Sequence, residues 1–403
     1  MTPQIHDTTA SVAPQPGAIR PSVAALFAAF LRLGLTAFGG PAMVAYIREL
    51  AVSRKQWLDD RCFQNGVVLC QSIPGATAMQ TAAYVGLRSA GFWGGLASYV
   101  GFGLPAFVLM TVLAAAYGQT RDLRLVNSAF HGLQVIVVAL IANATVNFGR
   151  SSVKNWRDAL LASGAAAFLL LRGNPIIAIV AAAGLGLLLY RQAEPRRVDS
   201  PCGNAVSTRQ LAWPALALSV LVPAGLTVLW IGDRRLCEMA GVMLKVDVFA
   251  FGGGFASVPL MLSEVVDVHR WIDSRTFMDG IVLGQATPGP IVITATFVGY
   301  QVAGFTGAVV GTVSVFTPSF IVLVATVPYF DRLQQSALFR RAVRGALLSF
   351  VGLLLSTAIR FGVAATWSVP GVILAVLALV ALRFKVDVAW IVLIGGIISA
   401  AAL

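Results

Sequence analysis

Two basic residues, Arg32 and Lys245, each stand six residues ahead of a Phe-Gly-Gly triplet, one in either half of the chain. The triplets are Phe38-Gly39-Gly40 and Phe251-Gly252-Gly253, at a spacing of 213. Gln71 and Gln285 stand three residues ahead of Pro74-Gly75 and Pro288-Gly289. Glycine pairs and Pro-Gly break the helical hydrogen-bond ladder. A helix that restarts after such a break presents free N–H groups and the positive end of its dipole, which bind anions. Two cations related by symmetry would add the full charge a buried dianion needs against its desolvation cost. A glutamine amide offers two more donors without adding charge. This chemistry is oxyanion binding. The candidate binding set is Arg32, Gly39, Gly40, Pro41, Gln71, Pro74, Gly75, Lys245, Gly252, Gly253, Gly254, Gln285, Pro288, Gly289 and Pro290.

Three acids are candidates for coupling. Asp247 lies two residues after Lys245, where it could neutralise the lysine or carry a proton; its first-half counterpart is Gly34. Glu49 and Glu264 fall near the ends of the first helices, where a solvated helix end is the plainer reading. A plainer reading exists for the binding set too. Glycine lets helices pack closely, proline kinks them, and Arg32 near the start of its span could snorkel. Four breaks at matched positions favour a site.

These residues need an apolar scaffold. The chain is 58% hydrophobic and 11% charged, against about 25% charged in soluble domains. Its apolar stretches suit helices across a hydrocarbon layer of about 30 Å. The net charge of +12 is no nucleic-acid signal, because the basic residues lie in loops between spans. Cys62, Cys70, Cys202 and Cys237 show no Cys-x-x-Cys spacing, and His6, His131 and His269 are scattered. No metal, cofactor or catalytic histidine is expected.

The repeat extends well past its motifs. Trp57 and Asp59 meet Trp271 and Asp273, Phe63 meets Phe277, Gly91-Phe92 meets Gly304-Phe305, and Pro105 meets Pro318. The fold class expected is an all-α polytopic membrane protein. Two homologous modules form an inverted repeat of about 10–13 transmembrane helices, broken at Phe-Gly-Gly and Pro-Gly. The divisions are a disordered tail (1–21), a first module (22–190), a cytoplasmic linker with a connecting helix (191–237), and a second module (238–403). Inversion follows from charge. If each Pro-Gly segment crosses once, the halves are inverted and the positive-inside bias is larger than if it turns back. That arrangement leaves Arg48, Arg54, Lys55 and Arg61 on the unfavourable side. Substrate would bind at the repeat interface, where half-helices end inside the membrane.

The motifs resemble the chromate ion transporter family in its long, two-domain form. The resemblance rests on Leu33-Gly34-x-x-x-Phe38-Gly39-Gly40-Pro41, Trp57-Leu58-Asp59 and Gln71-x-x-Pro74-Gly75. In the second half it rests on Phe249-x-Phe251-Gly252-Gly253-Gly254, Trp271-Ile272-Asp273, Gln285-Ala286-Thr287-Pro288-Gly289-Pro290 and Pro318-Ser319-Phe320. It covers roughly 25–150 and 240–365. The resemblance implies chromate efflux across the bacterial cytoplasmic (inner) membrane, driven by membrane potential or a proton gradient, with chromate resistance. The sequence departs from full symmetry at Ala76, where the second half has Pro290. Partners are the oxyanion, the lipid bilayer and, as an open option, a second copy in a homodimer. Rival readings are a transporter for another oxyanion such as sulfate, an anion channel, and an intramembrane enzyme. No nucleophile–base or metal-ligand spacing supports the last.

Overall fold

The computed structural model describes residues 21–38, 42–121, 123–190, 208–384 and 386–402. The expected tail and linker fall almost wholly outside these residues, as do Gly39, Gly40 and Pro41. Among the described residues the regular structure is helical. Among the described residues five helices are long and apolar enough to cross a membrane: Thr77–Thr120, Arg124–Ser152, Leu211–Gly232, Ile291–Tyr329 and Ala337–Ala364. Their outer faces carry exposed apolar side chains, such as Trp213, Val220, Leu221 and Val228 on the connecting helix. Such a surface on helices of this length suits lipid. The protein is a multi-pass membrane protein.

The first half holds α1 (Val23–Thr36), α2 (Ala42–Arg48, continued by a π-helical turn Glu49–Arg54), α3 (Asp60–Ser72), α4 (Thr77–Thr120), α5 (Arg124–Ser152), α6 (Trp156–Leu170) and α7 (Pro175–Leu189). A connecting α8 (Thr208–Gly232) follows. The second half holds α9 (Arg234–Phe249), α10 (Ser257–Met261, continued by a π-helical turn Leu262–Val268), α11 (Ser274–Ala286), α12 (Thr294–Thr326), a short α13 (Phe330–Gln335), α14 (Ala337–Ala364), α15 (Val369–Arg383) and α16 (Val388–Ala402). The recurring Asp of Trp-x-Asp is a helix cap. Asp59 accepts from the Cys62 amide at 2.7 Å, and Asp273 from the Thr276 amide at 2.7 Å.

Contacts show where the chain reverses. α4 leaves helical geometry at Ala90 and Gly91. A Cβ on Gly86 would lie 2.1 Å from the Gly94 carbonyl oxygen. Eight residues along a straight helix span about 12 Å, so the arms 77–89 and 92–120 fold back on each other. The same happens in α12 at Ala303–Gly304, where a Cβ on Gly299 would lie 2.2 Å from the Gly307 oxygen. Pro-Gly also marks a reversal. Cys62 meets Tyr84 at 3.6 Å across it, and a Cβ on Gly280 would meet the Phe297 ring at 2.5 Å. The second Phe-Gly-Gly is a third reversal: Lys245 pairs with Glu264 at 2.7 Å and Glu238 with His269 at 3.3 Å. In the first half Trp57 returns to within 6.4 Å of Phe30. The pair α6–α7 closes through Tyr190, whose hydroxyl donates to Asp158, while Arg344 of α14 donates to the same carboxylate at 3.0 Å.

The Pro-Gly segments therefore re-enter, where the charge argument had each crossing once. The Phe-Gly-Gly helices turn back as well, so the inverted arrangement survives on a different count. The second arm of α4, then α5 and α8, pass from one face to the other before the second half begins, while the α6–α7 hairpin runs out along α14 and returns. Equivalent helices run antiparallel. The arm 92–120 pairs with 305–326 through Phe92–Phe320 at 6.0 Å and Tyr99–Phe316 at 6.2 Å. Helices α5 and α14 pair through Phe148–Phe350 at 5.0 Å and, just past the end of α14, His131–Thr366 at 3.3 Å. The hairpins also bring Arg54, Lys55 and Arg61 to the face from which α1 starts. That face holds Arg88, Arg150, Lys154, Arg340 and Arg341 too, so the conflict in the positive-inside count disappears for three of the four cations, and Arg48 lies within its hairpin at the end of α2.

Candidate oxyanion site

The four hairpin tips converge. The Gly75 amide donates to the Ala250 carbonyl at 2.9 Å, and the Gly289 amide donates to the Ala37 carbonyl at 3.1 Å. Each Pro-Gly tip thus binds the Phe-Gly-Gly tip of the other half. Beside the tips lies a cavity of about 780 Å³. Gln71, Gly252, Gly253, Gly254, Gln285 and Pro290 line it, together with Met43, Arg48, Thr77, Asn143 and Asn147. Pro74, Gly75, Pro288 and Gly289 form the tips and are not among the lining residues.

Donors face this space. The long helix α4 starts at Thr77 with no side chain capping it, since its N-cap is Ala76. Its first residues, Thr77 and Ala78, line the cavity, so the positive end of its dipole lies beside that space. Gly252 and Gly253 have φ of +99° and +93°, which turns their backbone away from helical pairing. The Gln285 Nε2 is buried without a hydrogen-bond partner. A buried unpaired donor costs about 1–3 kcal/mol, so an acceptor bound in the cavity would remove a standing penalty. Arg48 is the cation among the lining residues. It is half exposed and donates to Asp60 at 2.6 Å. At this hairpin base, the hydrogen bond from Arg48 holds the Asp60 carboxyl below its ordinary range.

The two cations expected to flank an anion do not meet at this cavity. Arg32 is exposed on α1 and is not among the lining residues. Lys245 pairs with Glu264, whose side chain is 6% exposed, and not with Asp247. Asp247 is buried on the tip side of Lys245. Its Oδ2 accepts from the Ser319 amide at 2.7 Å, and its Oδ1 has no partner. Glu49 pairs with Arg54 at 3.1 Å on an exposed surface. Sequence reasoning missed Arg48, which reads as a loop cation when the first helix is taken to cross. It also missed Asn143 and Asn147. Their signal was available: two amides at i and i+4 share one face of an otherwise apolar helix.

Comparison with known proteins settles the family. The chromate transporter family model matches twice, over residues 24–187 and 237–400. The chain belongs to the chromate transporter family. It is 41% identical over 382 residues to an uncharacterized transporter of Methanocaldococcus jannaschii, covering 94% of each chain. It is 30% identical over 363 residues to a chromate transport protein of Cupriavidus metallidurans, covering 88% of this chain and 87% of that one. A chromate transport protein of Pseudomonas aeruginosa is 30% identical over 364 residues, covering 88% of this chain and 83% of that one. No solved structure matches the chain.

Proposed function

We propose that this protein exports chromate across the cytoplasmic membrane as a secondary active transporter. The single observation that carries the reading is the unpartnered Gln285 Nε2 on a cavity walled by the start of α4 and by Gly252–Gly254. A tetrahedral dianion supplies oxygens for such donors, and Arg48 supplies charge. The family and the relatives named as chromate transport proteins support chromate as the anion. Gln71, Gly39, Gly40 and Pro41 complete the set by position in the repeat. The inverted hairpins favour alternating access over a channel. Lys245, Glu264 and Asp247 belong to the coupling side, because they line one hairpin from its base towards its tip. The face that carries the N-terminus and most of the loop cations is cytoplasmic.

The test is chromate uptake into everted vesicles, with and without a protonophore. Uptake that collapses with the gradient fits driven export; uptake indifferent to it sinks the coupling. Sulfate is a tetrahedral dianion of similar size and is the rival substrate. Competition by sulfate as strong as by unlabelled chromate would move the assignment to oxyanions in general.

A further inference from the structure

A second cavity, of about 320 Å³, lies between the tip of the α6–α7 hairpin, the π-helical turn after α10, and α14. Its polar lining includes Arg172, Asn174, Ser263, Asp267, Ser356 and Arg360. The repeat relates it to the larger cavity position by position. At an offset of 213, Asn143 and Asn147 of the larger cavity become Ser356 and Arg360 of the smaller. Leu140 becomes Leu353, and Leu382 and Val388 correspond to Leu169 and Pro175. The two cavities occupy equivalent places in halves that run in opposite directions, so they face opposite sides of the membrane. They differ in reach. The larger includes Gln71, Gly252–Gly254 and Gln285; the smaller includes none of them. They differ also in where charge stands, although each lining is singly positive: Arg48 in the larger, Arg172, Arg360 and Asp267 in the smaller. Where the first half has the neutral Asn147, the second has Arg360, tied to Asp267 at 2.6 Å.

We propose that the smaller cavity is the opposite-face vestibule for the same oxyanion class, with Arg360 as its anion contact and Asp267 as the residue that holds it shut. This inference rests on the transport reading above. The ion pair joins α14 to the π-helical turn of the Phe-Gly-Gly hairpin, the two elements that must part for the vestibule to reach the tips. The guanidinium satisfied by Asp267 in this state is free for oxyanion oxygens once they separate, because its planar fork suits either partner. Asp267 thus acts through Arg360 as a positioning residue, and Arg360 touches the anion.

The test uses the full chain in proteoliposomes, with Cys62, Cys70, Cys202 and Cys237 replaced. Ser356→Cys and Asn143→Cys report the two vestibules to an impermeant maleimide, with no anion present. Adding Asp267→Asn should speed Ser356→Cys labelling from the opposite face by about fivefold or more, the low end of typical coupling between two states. Asn143→Cys labelling should slow, which also shows that the variant is folded. Unchanged labelling at both positions overturns the gate, whatever the protein carries. Chromate flux then tests the contact. Arg360→Gln should lower flux about tenfold, a loss of roughly 1.4 kcal/mol, with part restored in Arg360→Lys, while Asp267→Asn loses less. Equal losses in Arg360→Gln and Asp267→Asn would make Arg360 a partner of the gate alone and overturn its anion role. If the labelling shift appears but no variant or parent moves chromate, the substrate assignment fails and the gate stands.

Discussion

The Gly75 amide donates to the Ala250 carbonyl at 2.9 Å, which ties the Pro-Gly tip of one half to the Phe-Gly-Gly tip of the other. Its symmetry mate, Gly289 to Ala37, closes the same bond in reverse at 3.1 Å. Four half-helices are thereby joined at one point in the apolar body, where an unpaired backbone group is costly. The bonds need the glycines themselves. Gly75 sits at φ +116° and Gly289 at φ +120°, which other residues rarely adopt.

Gly75→Ala and Gly289→Ala should each abolish most transport and lower stability by about 1–3 kcal/mol. A Cβ on Gly75 would fall 2.2 Å from the Ser319 Cβ, and one on Gly289 would fall 2.7 Å from the Ala106 Cβ. Gly184→Ala is the control, since nothing lies within 4 Å of its added methyl and it sits inside a helix. Thermal unfolding in detergent and vesicle uptake read both effects. Wild-type transport in Gly75→Ala or Gly289→Ala would remove the tips from the mechanism.

Gln285→Leu should raise the KM for chromate about tenfold, the loss of a hydrogen bond from the protein to a charged ligand. Its midpoint of unfolding should not fall, because Nε2 has no partner to lose. A lowered midpoint with unchanged KM would make the glutamine a structural residue. Arg48→Gln should also raise KM, and Arg48→Lys less, if charge rather than the fork to Asp60 is what the anion needs.

The register of the repeat, the tips and the glutamines were legible in the sequence, because Trp, Gln, Pro and Asp recur at fixed spacing. The reversals were not. A glycine pair inside a long apolar stretch looks the same whether the chain bends or folds back. The decision belongs to distant partners such as Cys62 and Tyr84, or Lys245 and Glu264. That one ambiguity also misplaced Arg48, and it left Asp247 as the partner in view for Lys245 when the partner is Glu264. Its counter-charge lies 19 positions on, across the hairpin.

Topology gives an independent check. Gln56 and Arg270 occupy the same turn of the two halves, each at positive φ, 51° and 53°. In a cysteine-free background, Gln56→Cys should react with an impermeant reagent only from the cytoplasmic face. Arg270→Cys should react only from the opposite face. Labelling of both from one side would contradict the inverted halves.

The pair Lys245–Glu264 decides what the intramembrane lysine does. Glu264 is 6% exposed, so Lys245→Gln leaves a buried carboxylate without its partner. Loss of one member of a fully buried pair costs about 3–5 kcal/mol. The lysine side chain is 40% exposed, so solvent screening brings the expected loss down to about 1–2 kcal/mol. The double variant Lys245→Gln/Glu264→Gln should regain that stability, because two neutral amides carry no desolvated charge. Transport should stay low in the double variant if the pair carries the coupling charge, since stability returns and the titratable groups do not. Recovery of gradient-driven chromate uptake along with stability would refute that role. The pair would then be a fastening of the α9–α10 hairpin, and Asp247, with its unpartnered Oδ1 at the tip, would be left as the coupling carboxylate.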